Sequence, residues 1–288
     1  MPTNRHFEPR TVLVLVIFTF VVFTSGCTRE AEIGSPDIMT SIPAVALIVQ
    51  PIAGDLLVGT VLKEGVSPHA YQPRPSDMTS MMNAGILVSA HPDVDGWFSE
   101  LSGGSGHILF ESDTFSGEGG AHADVHFWSD PQSVLKAIPG LVAQLCSFDP
   151  GGCPAFRRRA TAFSVRINSV TARISEILSQ NDVGSCVVTA QPFVDRFLDR
   201  FEVERIGPVS PSPEHEPSPA SLASVIEEAR ERDCNHIILQ NTVSNDFMLQ
   251  LAKESGWQTI EVDPLGSDAV SYEGYLLSIT HSLTSTGS

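Results

Sequence analysis

The sequence predicts an α/β protein built as two parallel-sheet lobes bridged by one long rigid helix. Three observations carry that expectation. Short, continuous apolar runs read as strands buried on both faces, segments of helical periodicity alternate with them, and one long apolar stripe stands between two groups of such runs.

The runs are Ala44–Val49, Ile86–Ala90, Cys186–Ala190, His236–Gln240 and Thr259–Val262. Strands with no polar alternation suit a parallel sheet, whose two faces are both covered. Ser221–Arg232 opens on a serine cap and carries Leu222, Val225, Ile226 and Ala229 on one face, and Asn245–Ser255 offers Phe247, Met248, Leu251 and Ala252 at similar spacing. The stripe begins after Pro154 with Phe156, Ala160, Phe163, Ile167, Val170, Ile174 and Ile177. It alternates steps of four and three over about 24 residues, or about 36 Å of helix. This reads as a rod joining two lobes, the alternative being an ordinary packing helix inside one large domain, with Pro154 in the first turn, where its missing N–H costs little, and Arg157 to Arg159 largely solvated. The expected layout is a leader at 1–26, a tether at 27–41, an N-terminal lobe at 42–153, the linker helix at 154–181 and a C-terminal lobe at 182–288. SPSPEHEPSP, from Ser210 to Pro219, is a proline-rich loop that leaves His215 exposed.

The leader follows from residue order. Arg5 and Arg10 precede an uncharged apolar stretch from Thr11 to Phe23, which runs into Thr24-Ser25-Gly26-Cys27. That is the order of an export signal, and the apolar run is shorter than the roughly 20 residues a membrane-spanning helix needs. Small residues before a cysteine resemble a bacterial lipobox, with Thr24 where leucine is usual. Lipidation of Cys27 would then anchor the chain to the outer face of the cell membrane, or in the periplasm, with Thr28 to Asp37 as a flexible tether.

The whole chain carries a net charge of −17. Without Arg5, Arg10 and Glu8, 15 basic residues face 33 acidic ones, a net −18. Nucleic acid would be repelled, and cations in general drawn in. Four of the cysteines lie beyond Cys27, and an even number in an exported chain points to disulfides. The favoured pairs are Cys146 with Cys153, across the turn residues of SFDPGG, and Cys186 with Cys234, each at the start of an apolar run. A four-thiolate zinc site is the alternative, but neither pair has CxxC spacing.

Two histidines stand in frames of proline, aromatic and acidic residues: His69 in GVSPHAYQPRPSD and His126 in ADVHFWSDP, the latter after a glycine-rich lead-in. Neutral imidazole is the commonest protein ligand for zinc and similar ions. The series GVSPHAYQPRPSD, GWFSEL, DVHFWSDP, DPGGCPAFRRRATAFSVRINSVTARISEIL, VVTAQPF, EPSPASLASVIEEARERDCNHIILQ and EVDPLG resembles, in order, the metal-binding lipoproteins of ABC importers for zinc and manganese, the cluster A-I type of periplasmic solute-binding protein. The resemblance covers about Ile42 to the C-terminus.

It implies a divalent ion, Zn2+ or Mn2+, held as transported ligand between the lobes by four side chains. By position these are His69, His126, Gln191 and Asp263, with Gln191 where the family has His or Glu. It also implies an ABC permease and its ATPase subunit as partners, and a monomer. Gln191 and Asp263 directly follow predicted strands, at the ends where open α/β sheets bind ligands. Each residue has a plainer role open to it: a histidine structural or solvated, Asp263 capping the Pro264-Leu265-Gly266 turn, Gln191 hydrogen bonding behind the ligands. His122, His91 and His107 are candidate substitutes for the weak donor at Gln191, and no His- and Asp-rich loop lies between the first two ligands. Two other functions compete: a surface adhesin or interaction lipoprotein with a weakened metal site, and a metal-dependent hydrolase. The hydrolase reading lacks any motif placing a general base such as Glu64 or Glu261 beside the metal, so an enzyme is not expected.

Overall fold

A computed structural model describes Met1 and residues 36–63, 65–101, 107–108, 125–181, 183–184, 186–211 and 215–285. The leader, Cys27, Glu64 and His122 lie outside these residues. From Pro36 onward the described residues form one compact unit.

Each lobe holds a four-stranded parallel sheet. The N-terminal sheet comprises β1 (Ile38–Thr40), β2 (Val58–Thr60), β3 (Ile86–Ser89) and β4 (His107–Ile108), in the order β2-β1-β3-β4. The C-terminal sheet comprises β5 (Val187–Thr189), β6 (Arg205–Ile206), β7 (His236–Gln240) and β8 (Gln258–Val262), in the equivalent order β6-β5-β7-β8. In both sheets the order reverses between the first and third strands, which opens a crevice at their carboxyl ends. Side chains alternate between the faces: Val187 and Ile238 enter the large central core, whereas Val188, Ile237 and Leu239 enter a separate cluster with Met248 and Leu251.

The helices are α1 (Pro43–Ala53), α2 (Pro75–Met82), α3 (Pro92–Leu101), α4 (Pro131–Phe148), α5 (Cys153–Gln180), α6 (Asp195–Arg200), α7 (Pro219–Glu231), α8 (Asp246–Ser255) and α9 (Tyr272–Thr284). The predicted strand Ala44–Val49 is thus helical. Its apolar run continues to Ile52 and Ala53, burying Ala44, Val45, Ile48, Val49, Ile52 and Ala53, and Pro43 starts the helix. A short apolar run fits a buried strand or a buried helix equally, and here length decides. The true first strand, Ile38–Thr40, lies in the segment read as tether.

The 28 residues of α5, about 42 Å, run between the sheets. The predicted stripe from Phe156 to Ile174 is buried against α1 and α4 of one lobe and α9 of the other, with Ile177 half-buried at its end. One core therefore continues through both lobes. Arg157 and Arg158 are exposed, and the half-buried Arg159 pairs with Asp55 at 3.0 Å and donates to the Ala53 carbonyl, holding the end of α1 to α5. Ser218, not Ser221, caps α7, accepting from the Ser221 N–H. Phe247 faces solvent, while Met248, Leu251 and Ala252 are buried. Disulfides join Cys146 to Cys153, between α4 and α5, and Cys186 to Cys234, leading into the paired strands β5 and β7.

Candidate metal site

His69 rides on a one-turn 3₁₀ helix, Pro68–Ala70, beyond the carboxyl end of β2. Its Nδ1 lies 3.2 Å from the Asp93 carbonyl oxygen. A carbonyl oxygen only accepts, so Nδ1 carries the proton and the lone pair is on Nε2, the tautomer a metal-binding imidazole needs. The turn is held a second time by α3, because Trp97 Nε1 donates to the Pro68 carbonyl at 3.1 Å and its ring packs on Tyr71.

His126 precedes the 3₁₀ turn Phe127–Ser129 and is 8% exposed. Its carbonyl accepts from the Ser129 hydroxyl at 2.9 Å. Its ring meets the His69 ring edge to face, with centroids 5.9 Å apart, and the Trp128 ring at 5.2 Å. An ion about 2.1 Å from a coordinating nitrogen sits roughly 3 Å from that ring's centroid, so two imidazoles sharing it stand about 5–6 Å apart. The His69–His126 centroid separation of 5.9 Å lies within that spacing.

In the C-terminal lobe, Gln191 follows β5 and is 5% exposed. Its Oε1 accepts from Gln240 Nε2, at the end of β7, at 3.3 Å. Asp263 follows β8; one carboxylate oxygen accepts from Leu265 N–H at 2.9 Å and the other from Ser267 N–H. Asp263 therefore caps its own turn, with lone pairs remaining on both oxygens. Buried hydrogen bonds tie the two ligand-bearing loops across the lobes: Trp128 Nε1 donates to the Pro264 carbonyl at 2.8 Å, and Tyr272 donates to the Trp128 carbonyl at 2.9 Å. Asp130, which caps α4, closes the same seam through a two-pronged pair with Arg200 of α6 at 2.7 and 3.1 Å. Burial pushes the Asp130 carboxyl up, but Arg200 and Ser133 outweigh it and hold it below the usual range.

The structure brings His69 and His126 together and holds Gln191 and Asp263 in hydrogen bonds of their own. Among the described residues, no three His, Cys, Asp or Glu side chains converge as a metal cage. His107 lies in β4. His91 stands at the carboxyl end of β3, half-buried, with Nδ1 accepting from Asp93 N–H at 3.2 Å. Burial lowers its pKa, and Arg196 and His126 add to that against the opposing pull of Asp93.

Sequence reasoning missed Asp93, Trp97, Gln240 and Asp95. Asp93 orients His69 through its backbone carbonyl, which no side-chain pattern reveals. Asp95 is fully buried, accepts from the Ala90 and His91 amides at 2.6 and 3.1 Å, and so shapes the loop carrying Asp93. Burial pushes its carboxyl up to about 6 against those two bonds.

Two helix-bridged α/β lobes carry candidate ligands at the carboxyl ends of both sheets. The chain belongs to the family described as zinc-uptake complex component A, periplasmic (ZnuA), whose model matches residues 38–286. Its sequence relatives include proteins named as zinc-binding and manganese-binding lipoproteins. It is 24% identical over 280 residues to the zinc-binding lipoprotein AdcA of Streptococcus pneumoniae, covering 90% of this chain and 56% of AdcA, so it spans about half of that relative. It is 23% identical over 274 residues to the manganese-binding lipoprotein MntA of Halalkalibacterium halodurans, covering 90% of each. Its fold matches a crystal structure of ZnuA with a TM-score of 0.74 at 20% identity, over 88% of this chain and all of that one.

Proposed function

We propose that the protein captures a divalent transition metal outside the cytoplasmic membrane, zinc first and manganese next, and delivers it to the permease and ATPase of an ABC importer. His69 and His126 supply nitrogen, Asp263 the anionic oxygen, and Gln191 a neutral oxygen. A site with one carboxylate leaves a dipositive ion a net charge of about +1. Two imidazoles favour zinc, because the oxygen-rich set that suits manganese is only half present. A lipid on Cys27 anchors the chain, a reading supported by the lipoprotein names of AdcA and MntA.

The observation that carries the reading is the His69–His126 pair, 5.9 Å between ring centroids, with His69 Nδ1 directed to the Asp93 carbonyl. The test is competitive zinc and manganese binding by residues 28–288. His69→Ala is expected to weaken zinc binding at least 100-fold, about 2.7 kcal/mol. Affinity unchanged for every divalent metal would overturn the reading.

A further inference from the structure

His91 begins the loop at the carboxyl end of β3, beside the point where the N-terminal sheet reverses its strand order. Ligands gather at such crevices. One residue orients two imidazoles there: the Asp93 carbonyl faces His69 Nδ1 at 3.2 Å, and the Asp93 N–H faces His91 Nδ1 at 3.2 Å. The buried Asp95 carboxyl holds this loop from beneath through the amides of Ala90 and His91.

Of the four donors proposed above, the Gln191 amide oxygen is the one a third nitrogen would replace. Gln191 Oε1 already accepts from Gln240, and both oxygens of Asp263 already accept backbone N–H groups. A borderline ion such as zinc takes four donors and prefers nitrogen to a neutral amide oxygen.

We propose that His91 is a third imidazole ligand, joining through Nε2 the ion held by His69 and His126 and biasing the site toward zinc over manganese. The inference rests on the metal-capture reading above. In the metal-free arrangement Nδ1 accepts from Asp93, so the neutral ring carries its proton on Nε2. Coordination moves that proton to Nδ1 with no net release. The Asp93 carboxylate, one oxygen of which lies 3.7 Å from Nδ1 before coordination, is at hand to accept a hydrogen bond from that N–H. Metal-ligating histidines commonly donate their second N–H to such a carboxylate. The described residues hold no ready-made group of three such ligands, so the arrangement requires the His91 side chain to rotate toward the His69–His126 pair.

The test uses residues 28–288 loaded with Co2+ or Zn2+. His91→Gln is expected to weaken zinc binding at least tenfold, to change manganese binding less, and to lower the visible Co2+ absorption as the nitrogen count falls. Asp93→Asn is expected to weaken zinc binding about tenfold, as loss of a supporting carboxylate does. Imidazole 15N spectra of the unmutated chain provide a readout free of any folding defect: zinc should shift the Nε2 signals of His69, His126 and His91 together. If only the first two shift, and His91→Gln leaves the zinc affinity and Co2+ spectrum unchanged while His69→Ala abolishes binding, this proposal falls and metal capture stands. If the unmutated chain binds no divalent metal, both fall.

Discussion

On the N-terminal side of the candidate site, His69 and His126 are positioned through His69 Nδ1, the Pro68 and His126 carbonyls and ring packing. Asp93 and Trp97 fix the His69 turn, and Ser129 and Trp128 fix His126. On the C-terminal side, Gln191 and Asp263 use the oxygens they would offer to an ion on Gln240, Leu265 and Ser267. An ion shared by these four residues would meet the first half already paired, whereas the second would first have to loosen bonds of its own. Binding energy should therefore come mainly from the nitrogens, with the oxygens recruited by partial exchange of existing hydrogen bonds. The continuous core through α5 fits this division, because it restricts the lobes to small relative motions.

The largest expected effect comes from breaking the seam that keeps the halves apposed. Trp128 is fully buried, donates to the Pro264 carbonyl and accepts from the Tyr272 hydroxyl through its own carbonyl. Trp128→Ala should cost about 3–5 kcal/mol, as large aromatic truncations in a core do, and also orphan the Pro264 loop next to Asp263. Urea unfolding would read this as a lower midpoint at unchanged slope. A loss under about 1 kcal/mol would mean that the halves are apposed by something other than this residue.

A second effect, nearly as large, separates the loop on the nitrogen side from the rest by its pH response. Asp95 holds its proton to about pH 6 in the folded chain against a usual 3.8, because burial disfavours its charge. The folded state then binds more protons than the unfolded state between those values, so this group's contribution to stability falls as pH rises from about 4 to 6. The shift corresponds to about 3 kcal/mol. Asp95→Asn removes the ionisation and keeps one acceptor for the loop amides. Unmutated minus variant stability should therefore decline from pH 4 to pH 7, and a flat difference would remove Asp95 as the cause.

The comparison also marks where the sequence was legible. Strands β3 and β7 were readable because burial on both faces leaves a short, near-continuous apolar run, and the α5 stripe because one buried face repeats at helical spacing. Ala44–Val49 was misread because an unbroken apolar run has no period to distinguish a strand from a helix. The histidines of the nitrogen half were legible through their side chains and the framed motifs around them. Their supports were not: Asp93 acts through a carbonyl, and Trp97 reaches back 29 residues to Pro68. Gln191 was visible as a departure, but its bond to Gln240 depends on β5 pairing with β7, which sequence spacing does not encode.

The smallest effect is the sharpest test of the asymmetry, because it alters one support on each side and leaves every ligand in place. Trp97→Phe keeps an aromatic ring against Tyr71 and Phe98 but removes the N–H that holds the Pro68 carbonyl. Stability should fall by no more than about 1 kcal/mol, the net worth of one hydrogen bond, while zinc affinity falls about tenfold as the His69 turn loosens. Gln240→Ala does the opposite on the other side: it releases Gln191 Oε1 from its donor, so zinc affinity should hold or improve by a few-fold. Both variants are read by the same competition titration. If Gln240→Ala weakens zinc as much as Trp97→Phe, the Gln191–Gln240 bond is itself a support that orients the amide toward the ion, and the two halves are built alike.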